Sequence, residues 1–206
     1  MTISMPKYIP SALTKLQHLP SLKPQYSPVP HIIPTYGAKL QYAPIEEEHL
    51  HQLSDEKKKY IQQVISTFLY YAYALDSTIL VALSDLGSEQ ASGSKKTLDN
   101  IIQLLNYLAT HPKASIHYYQ SDMILQVHSD ASYLSASKAH SRAGGYFFFS
   151  GNPLHPDKAK LNGAIHVLCK ILKNVMGSAA EVEIASAFTN CQEAIPICNT
   201  LIDLDH

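Results

Sequence analysis

The chain has 206 residues, of which 46% are hydrophobic and 16% charged. That is too apolar for a wholly disordered chain and long enough to bury a core. Sixteen basic residues stand against seventeen acidic ones, for a formal net charge of -1, so no global basic field points to nucleic acid and any such contact needs a local cause. The longest apolar stretches, Phe68 to Leu75 and Ile79 to Leu83, fall short of the roughly 20 residues of a membrane span, and Lys7, Pro6 and Pro10 stand where an export signal would be apolar. An intracellular, reducing location without membrane contact is expected. Cys169, Cys191 and Cys198 lack the paired short spacing of a zinc site and read as buried or half-buried thiols.

The first 44 residues hold eight of the twelve prolines, four lysines and no acidic residue. Proline removes a backbone donor and pushes its predecessor toward extended geometry, so Leu19 to Pro34 is predicted to be irregular or polyproline-like within a basic, proline-rich tether over residues 1–53, helical only over Ser11 to Gln17. A solvated linker is the ordinary reading of Lys7, Lys15, Lys23 and Lys39; a contact with a phosphate backbone is the functional one.

Residues 54–112 change character. Ser54 is a candidate cap, Asp55 and Glu56 suit a first turn, and Ile61, Val64, Ile65, Phe68, Leu69 and Ala72 recur at helical steps. Asp76-Ser77 opens a second helix over Ile79 to Leu86, a loop follows over Gly87 to Gly93, and a third helix from Leu98 to Leu108 stops at His111-Pro112. The tyrosines at 70, 71 and 73 fit core and interface better than a base-stacking platform.

Beyond Pro112 the period shortens. Ala114 to Tyr119 and Met123 to Asp130 read as strands joined by a hairpin at Gln120-Ser121-Asp122. Gly144-Gly145 leads into an aromatic strand, Tyr146 to Phe149, and Gly163 to Leu172 reads as a further strand, although its apolar run also fits a helix. Ser178 with Glu181 forms a capping-box pattern for a last helix through Glu183, Ile184, Ala187, Phe188 and Cys191 toward Leu204, with Pro196 expected to kink or end it. The order is tether, helices, strands, long helix: an α+β fold divided at 1–53, 54–112 and 113–206.

Chemistry-bearing residues are sparse. Asp130 at a strand end and Glu183 in the first turns of the last helix are two carboxylates of the kind magnesium accepts. Glu181 is best explained by capping, and His128, two residues before Asp130 on the same strand face, by packing. There is no G-x-S-x-G, phosphate-binding loop or dinucleotide fingerprint.

Residues 60–112 resemble the region after the palm of copia-type retrotransposon reverse transcriptases. The likeness rests on Ser66-Thr67-Phe68-Leu69-Tyr70, where the family carries a glycine at Ser66, on Leu80-Val81-Ala82-Leu83, and on Leu104-Leu105-Asn106-Tyr107-Leu108. Residues 128–152, with His128-Ser129-Asp130-Ala131 and the aromatic strand after Gly144-Gly145, resemble the opening of the same family's ribonuclease H domain. Residues 177–188 resemble its E-x-E helix, and residues 3–16 resemble the segment after the last palm strand.

The resemblance implies a polyprotein fragment with a thumb- or connection-like helical part and an incomplete ribonuclease H-like antiparallel sheet with one long helix. It implies Asp130 and Glu183 as magnesium ligands and as catalytic carboxylates, Glu181 as a flanking residue, and cleavage of RNA in RNA/DNA hybrids as the activity. The family's third metal aspartate lies on a strand after this helix, whereas Asp203 and Asp205 fall in the helix or its end, and the palm aspartates would precede residue 1. Weak or lost cleavage is therefore expected, with no polymerase site. An unpaired sheet edge is expected to promote self-association or pairing with a complementary Pol fragment. Two alternatives remain: a nonenzymatic module binding single-stranded nucleic acid, hybrid or protein, and an unrelated α+β metal enzyme.

Overall fold

A computed structural model describes residues 1–30, 53–91, 93–151 and 160–206. The elements in order are β1 (Thr2–Ser4), α1 (Tyr8–Lys15), α2 (Asp55–Ala74), a 3-10 turn (Ser77–Ile79), α3 (Leu80–Glu89), α4 (Lys95–Thr110), β2 (Ser115–His117), β3 (Ile124–Ala136), β4 (His140–Ser150), β5 (Ala164–Ile171) and α5 (Ala179–Asp203). The fold is α+β, with antiparallel strands segregated from most of the helices. Two compact units make it up, a helical one between Ile3 and Ser115 and a sheet-bearing one over Ile116–His206 that takes in Met1–Thr2. Among the described residues no helix is long and apolar enough to cross a membrane.

In the helical unit, the face predicted for α2 is the buried one: Ile61, Val64, Ile65, Phe68, Tyr71 and Ala72 all lie inside. Asp76 accepts the Thr78 amide at 3.2 Å and so restarts the chain after α2. Ser94 and Thr97 form a reciprocal capping box at α4, which stops at His111, the residue that Pro112 bars from helical geometry. The predicted loop from Gly87 begins later than expected, because α3 runs through Gly87 to Glu89.

Residues 19–30 carry no helix or strand, as expected of the proline-rich stretch, but the helix before them opens at Tyr8, three residues earlier than Ser11, and both are packed. Ile9, Ala12, Leu13 and Leu16 form a buried stripe on α1, and Tyr8 donates its hydroxyl to the Thr67 carbonyl at 2.6 Å while its ring stacks on Tyr71 at 5.2 Å. Pro10 is tolerated because it sits in the first helical turn, where the backbone donors have no intrahelical partner. The proline-rich stretch after α1 is then fastened to α4. The Ser21 amide donates to Asn106 Oδ1 at 3.0 Å, the Gln25 amide to Thr110 Oγ1 at 3.0 Å, and Gln103 Nε2 to the Ser27 carbonyl at 3.2 Å.

In the sheet-bearing unit, β3, β4 and β5 form an antiparallel sheet in that order, with Val127 opposite Phe147 and Tyr146 opposite Val167. The helix α5 covers one face: Ala143, Phe147 and Leu168 are buried, with Leu125, Val127, Leu172, Ala194 and Ile197 around them. The hairpin predicted at 120–122 does not form. Instead β2 pairs with β1, where the Met1 ammonium donates to the Tyr118 carbonyl at 2.7 Å, and Tyr119 exchanges both backbone bonds with the Asn162 carboxamide, at 2.8 and 3.1 Å. A side-chain amide there replaces a neighbouring strand.

The hairpin that does form is β3 to β4 through Ser137–Ala139, where Lys138 and Ala139 both have φ of 57°. Neither is Gly, Asn or Asp, so no turn signal marks it. The pair Gly144-Gly145 lies inside β4 and not before it, and α5 runs unbroken past Pro196 to Asp203.

Burial raises the pKa of Tyr8, Tyr60 and Tyr71 in the helical unit and of Tyr118 and Tyr146 in the sheet-bearing one, above the ordinary 10.0. The folded state therefore holds these protons more tightly than the unfolded chain. Their contribution to stability is complete below about pH 10 and falls as pH climbs past that value. Thermal melts at about pH 8 and about pH 11 should show a lower midpoint at the higher pH, and Tyr71→Phe should lessen the difference.

Candidate functional site

The antiparallel register places Asp130 opposite Gly144 and Ser129 opposite Gly145. Because β3 runs on to Ala136, Asp130 lies at mid-strand and not at the strand end expected for it, and polar groups join this middle of β3 to the first three turns of α5. Ser186 donates its hydroxyl to the Asp130 carbonyl at 2.6 Å. Asn190 Nδ2 lies within 2.9 Å of Ser129 Oγ and of the Gly144 carbonyl, and 3.0 Å from the Ser186 carbonyl. Asn190 is 2% exposed, and its Oδ1 has no hydrogen-bond partner among the described residues. A Cβ on Gly145 would stand 1.9 Å from that oxygen, so the absence of a side chain at 145 is what admits the amide.

Both carboxylates are exposed around this seam. Asp130 accepts the amide of Ala131 at 2.9 Å, and because the Ser129 hydroxyl is turned to α5, strand alternation assigns Asp130 to the other side of β3. Glu183 lies on α5 three residues before Ser186, so the helix turn that carries it is the one fastened to the Asp130 backbone. The structure thus brings the two predicted residues to adjoining elements. Among the described residues no group of three or more His, Cys, Asp or Glu converges.

The neighbours take the ordinary roles expected of them. Glu181 Oε2 accepts the Gly177 amide at 2.6 Å while the Glu181 amide donates to Ser178 Oγ at 3.2 Å, which caps α5. His128 packs edge-on to Phe148, ring centres 5.0 Å apart. Asp203 is the last residue of α5 and Asp205 follows it, both exposed and neither on a strand. Cys169 is half-buried, but Cys191 and Cys198 are exposed, against the expectation of packed thiols; they fall on the side of α5 turned from the sheet.

Of the four lysines, Lys7 and Lys15 border one open cavity of about 610 Å³ floored by Met5, Tyr8, Ala12 and Thr67. Lys23 is exposed outside that lining, and Lys39 lies outside the described residues. Comparison of the chain with family models, with curated proteins and with solved structures finds no match to any of them.

Sequence reasoning passed over Ser186, Asn190 and Gly145. The one signal that could have found them is the Gly144-Gly145 pair in an aromatic strand, since glycine inside a strand often marks a close approach. The two glycines should respond differently to alanine. A Cβ at Gly144 meets only the Asp130 carbonyl at 3.7 Å, an ordinary contact. Gly144→Ala should change stability by less than about 1 kcal/mol and Gly145→Ala should cost about 2–3 kcal/mol, read by denaturant unfolding of both variants.

Proposed function

We propose that residues 113–206 are the ribonuclease H-like part of a copia-type retrotransposon polyprotein and that they engage RNA/DNA hybrids with weak, magnesium-dependent cleavage of the RNA strand. The observation that supports this reading is the fastening of Asp130, on the first strand of an antiparallel sheet built in chain order, to α5 one turn from Glu183.

The donor types suit the metal, but strand alternation sets Asp130 on the side of β3 away from α5 and Glu183 on α5, so an ion can draw closely on only one of them at a time. Magnesium is typically held by one or two carboxylates together with substrate phosphate and water, and Asp130 and Glu183 are two exposed hard-oxygen donors on adjoining elements. Bound there, it would stabilise charge on the scissile phosphate and lower the pKa of a water. The chain's own residues contribute position. Ser186 and Asn190 fix the α5 turn against β3, and the exposure of both carboxylates leaves room for a phosphate to reach them. Two carboxylates are a thin set for this chemistry, which is why the cleavage is expected to be slow.

A second reading, a nonenzymatic nucleic-acid module, is favoured by Lys7 and Lys15 bordering the same cavity. It predicts salt-sensitive binding of single strands or hybrid that weakens when Lys7, Lys15, Lys23 and Lys39 are changed to Ala.

Incubation of the full chain with a labelled RNA/DNA hybrid and magnesium tests the first reading. Slow cleavage should appear and fall by at least about tenfold in Asp130→Asn and in Glu183→Gln. Cleavage that survives both changes together would instead assign the activity to other residues, and binding without cleavage that depends on the lysines would favour the second reading.

A further inference from the structure

Two faces of α5 carry apolar side chains, and only one meets the sheet. Val182, Ala194 and Ile197, with Ser186 and Asn190 between them, form the covered face. On the other, Ile184, Phe188, Cys191, Ile195, Cys198 and Ile202 follow at spacings of four, three, four, three and four residues. Ile184, Phe188, Ile195 and Ile202 are 71%, 63%, 59% and 67% exposed, and both cysteines are exposed as well. A surface helix ordinarily keeps one apolar stripe and turns charges to solvent; this one carries an uncharged apolar row along about 27 Å of its length.

We propose that this row is a coiled-coil seam through which two copies of the chain associate. Spacings of four and three average 3.5 residues, the period at which an apolar stripe stays aligned with a partner helix and its side chains enter the holes of the facing row. Three features of the row point to a second copy as the occupant. The spacing reads the same from either end, so another α5 supplies matching knobs and holes whichever way it runs. The flanking positions, Ala185, Ala187, Gln192, Ala194, Asn199 and Leu201, carry no charge, so self-pairing sets no like charges against each other and nothing selects a charged foreign helix. The seam is short, six side chains over about 27 Å, which falls in the class of weak, reversible interfaces. The sheet edges, where self-association was expected from sequence, are not needed for it.

Sedimentation of the full chain tests this directly. Between about 1 and about 100 μM the mass should climb from 22.8 kDa toward twice that value. Phe188→Glu and Ile195→Glu should each weaken association by at least about tenfold while circular dichroism and melting stay unchanged, because both side chains are exposed in the single chain. Phe188→Leu should keep the dimer. Alkylation of Cys191 and Cys198 should slow severalfold over the same concentration range. A 22.8 kDa species throughout, with alkylation independent of concentration, would overturn the proposal and leave the row to a different chain. So would a dimer that survives both glutamate variants.

Discussion

The orientation of α5 on its sheet depends on one buried carboxamide. Apolar contacts with Ala143, Phe147 and Leu168 hold the helix down but are not directional. On hydrophobicity alone the row containing Ile184 and Phe188 is a better candidate for burial than the row containing Ser186 and Asn190. What selects the second row is the fit of the Asn190 amide to Ser129 and the Gly144 carbonyl, in the gap left by Gly145. A buried amide costs about 1–3 kcal/mol wherever its donors go unpaired, so any rotation that strands Asn190 in the apolar interior is penalised. The direction of the outer row, the seating of the helix turn that carries Glu183 and the anchoring of the Asp130 carbonyl all follow from that single fit.

The helical unit is held by a different economy. Its α2 and α4 faces are apolar and regular, while the segment beside them is rich in proline and cannot make its own ladder. The chain resolves this by lending α4 side chains to the segment's backbone. Asn106, Thr110 and Gln103 satisfy amides and a carbonyl that proline-rich geometry would leave to water, and Tyr8 adds a stacked ring over Tyr71. The result is an ordered strap over the described part of the first thirty residues, with Lys7 and Lys15 presented at its start.

Regular periodicity was the most legible feature. The buried positions of α2, the stop of α4 at His111-Pro112 and the cap at Ser178 all rest on local rules that a sequence displays openly, whereas the run over 164–171 fits strand and helix alike and only pairing in the sheet decides it. Tertiary pairings were hidden. Nothing in Ser137-Lys138-Ala139 announces a turn, since two residues there take positive φ without being glycine or asparagine. Nothing in Tyr118-Tyr119 says that a side-chain amide 43 positions along the chain will take the place of a strand, yet Asn162 does. Proline composition suggested a tether at the start because the rule against proline applies to helix interiors, whereas Pro10 sits in a first turn.

For the site, the resemblance singled out Asp130 and Glu183, while sequence by itself determined that Glu181 is a capping residue and that the chain is an α+β protein. Those conclusions follow from residue type, spacing and local capping, which act over a few positions. The tertiary structure alone decided which face of α5 is buried, which strand partners which, and that Ser186 and Asn190 tie Glu183's helix turn to Asp130's strand. The physical reason is that an amide's partners and a glycine's clearance depend on groups dozens of residues apart. Local preference cannot choose between two apolar faces when the deciding hydrogen bonds exist only once the sheet has formed.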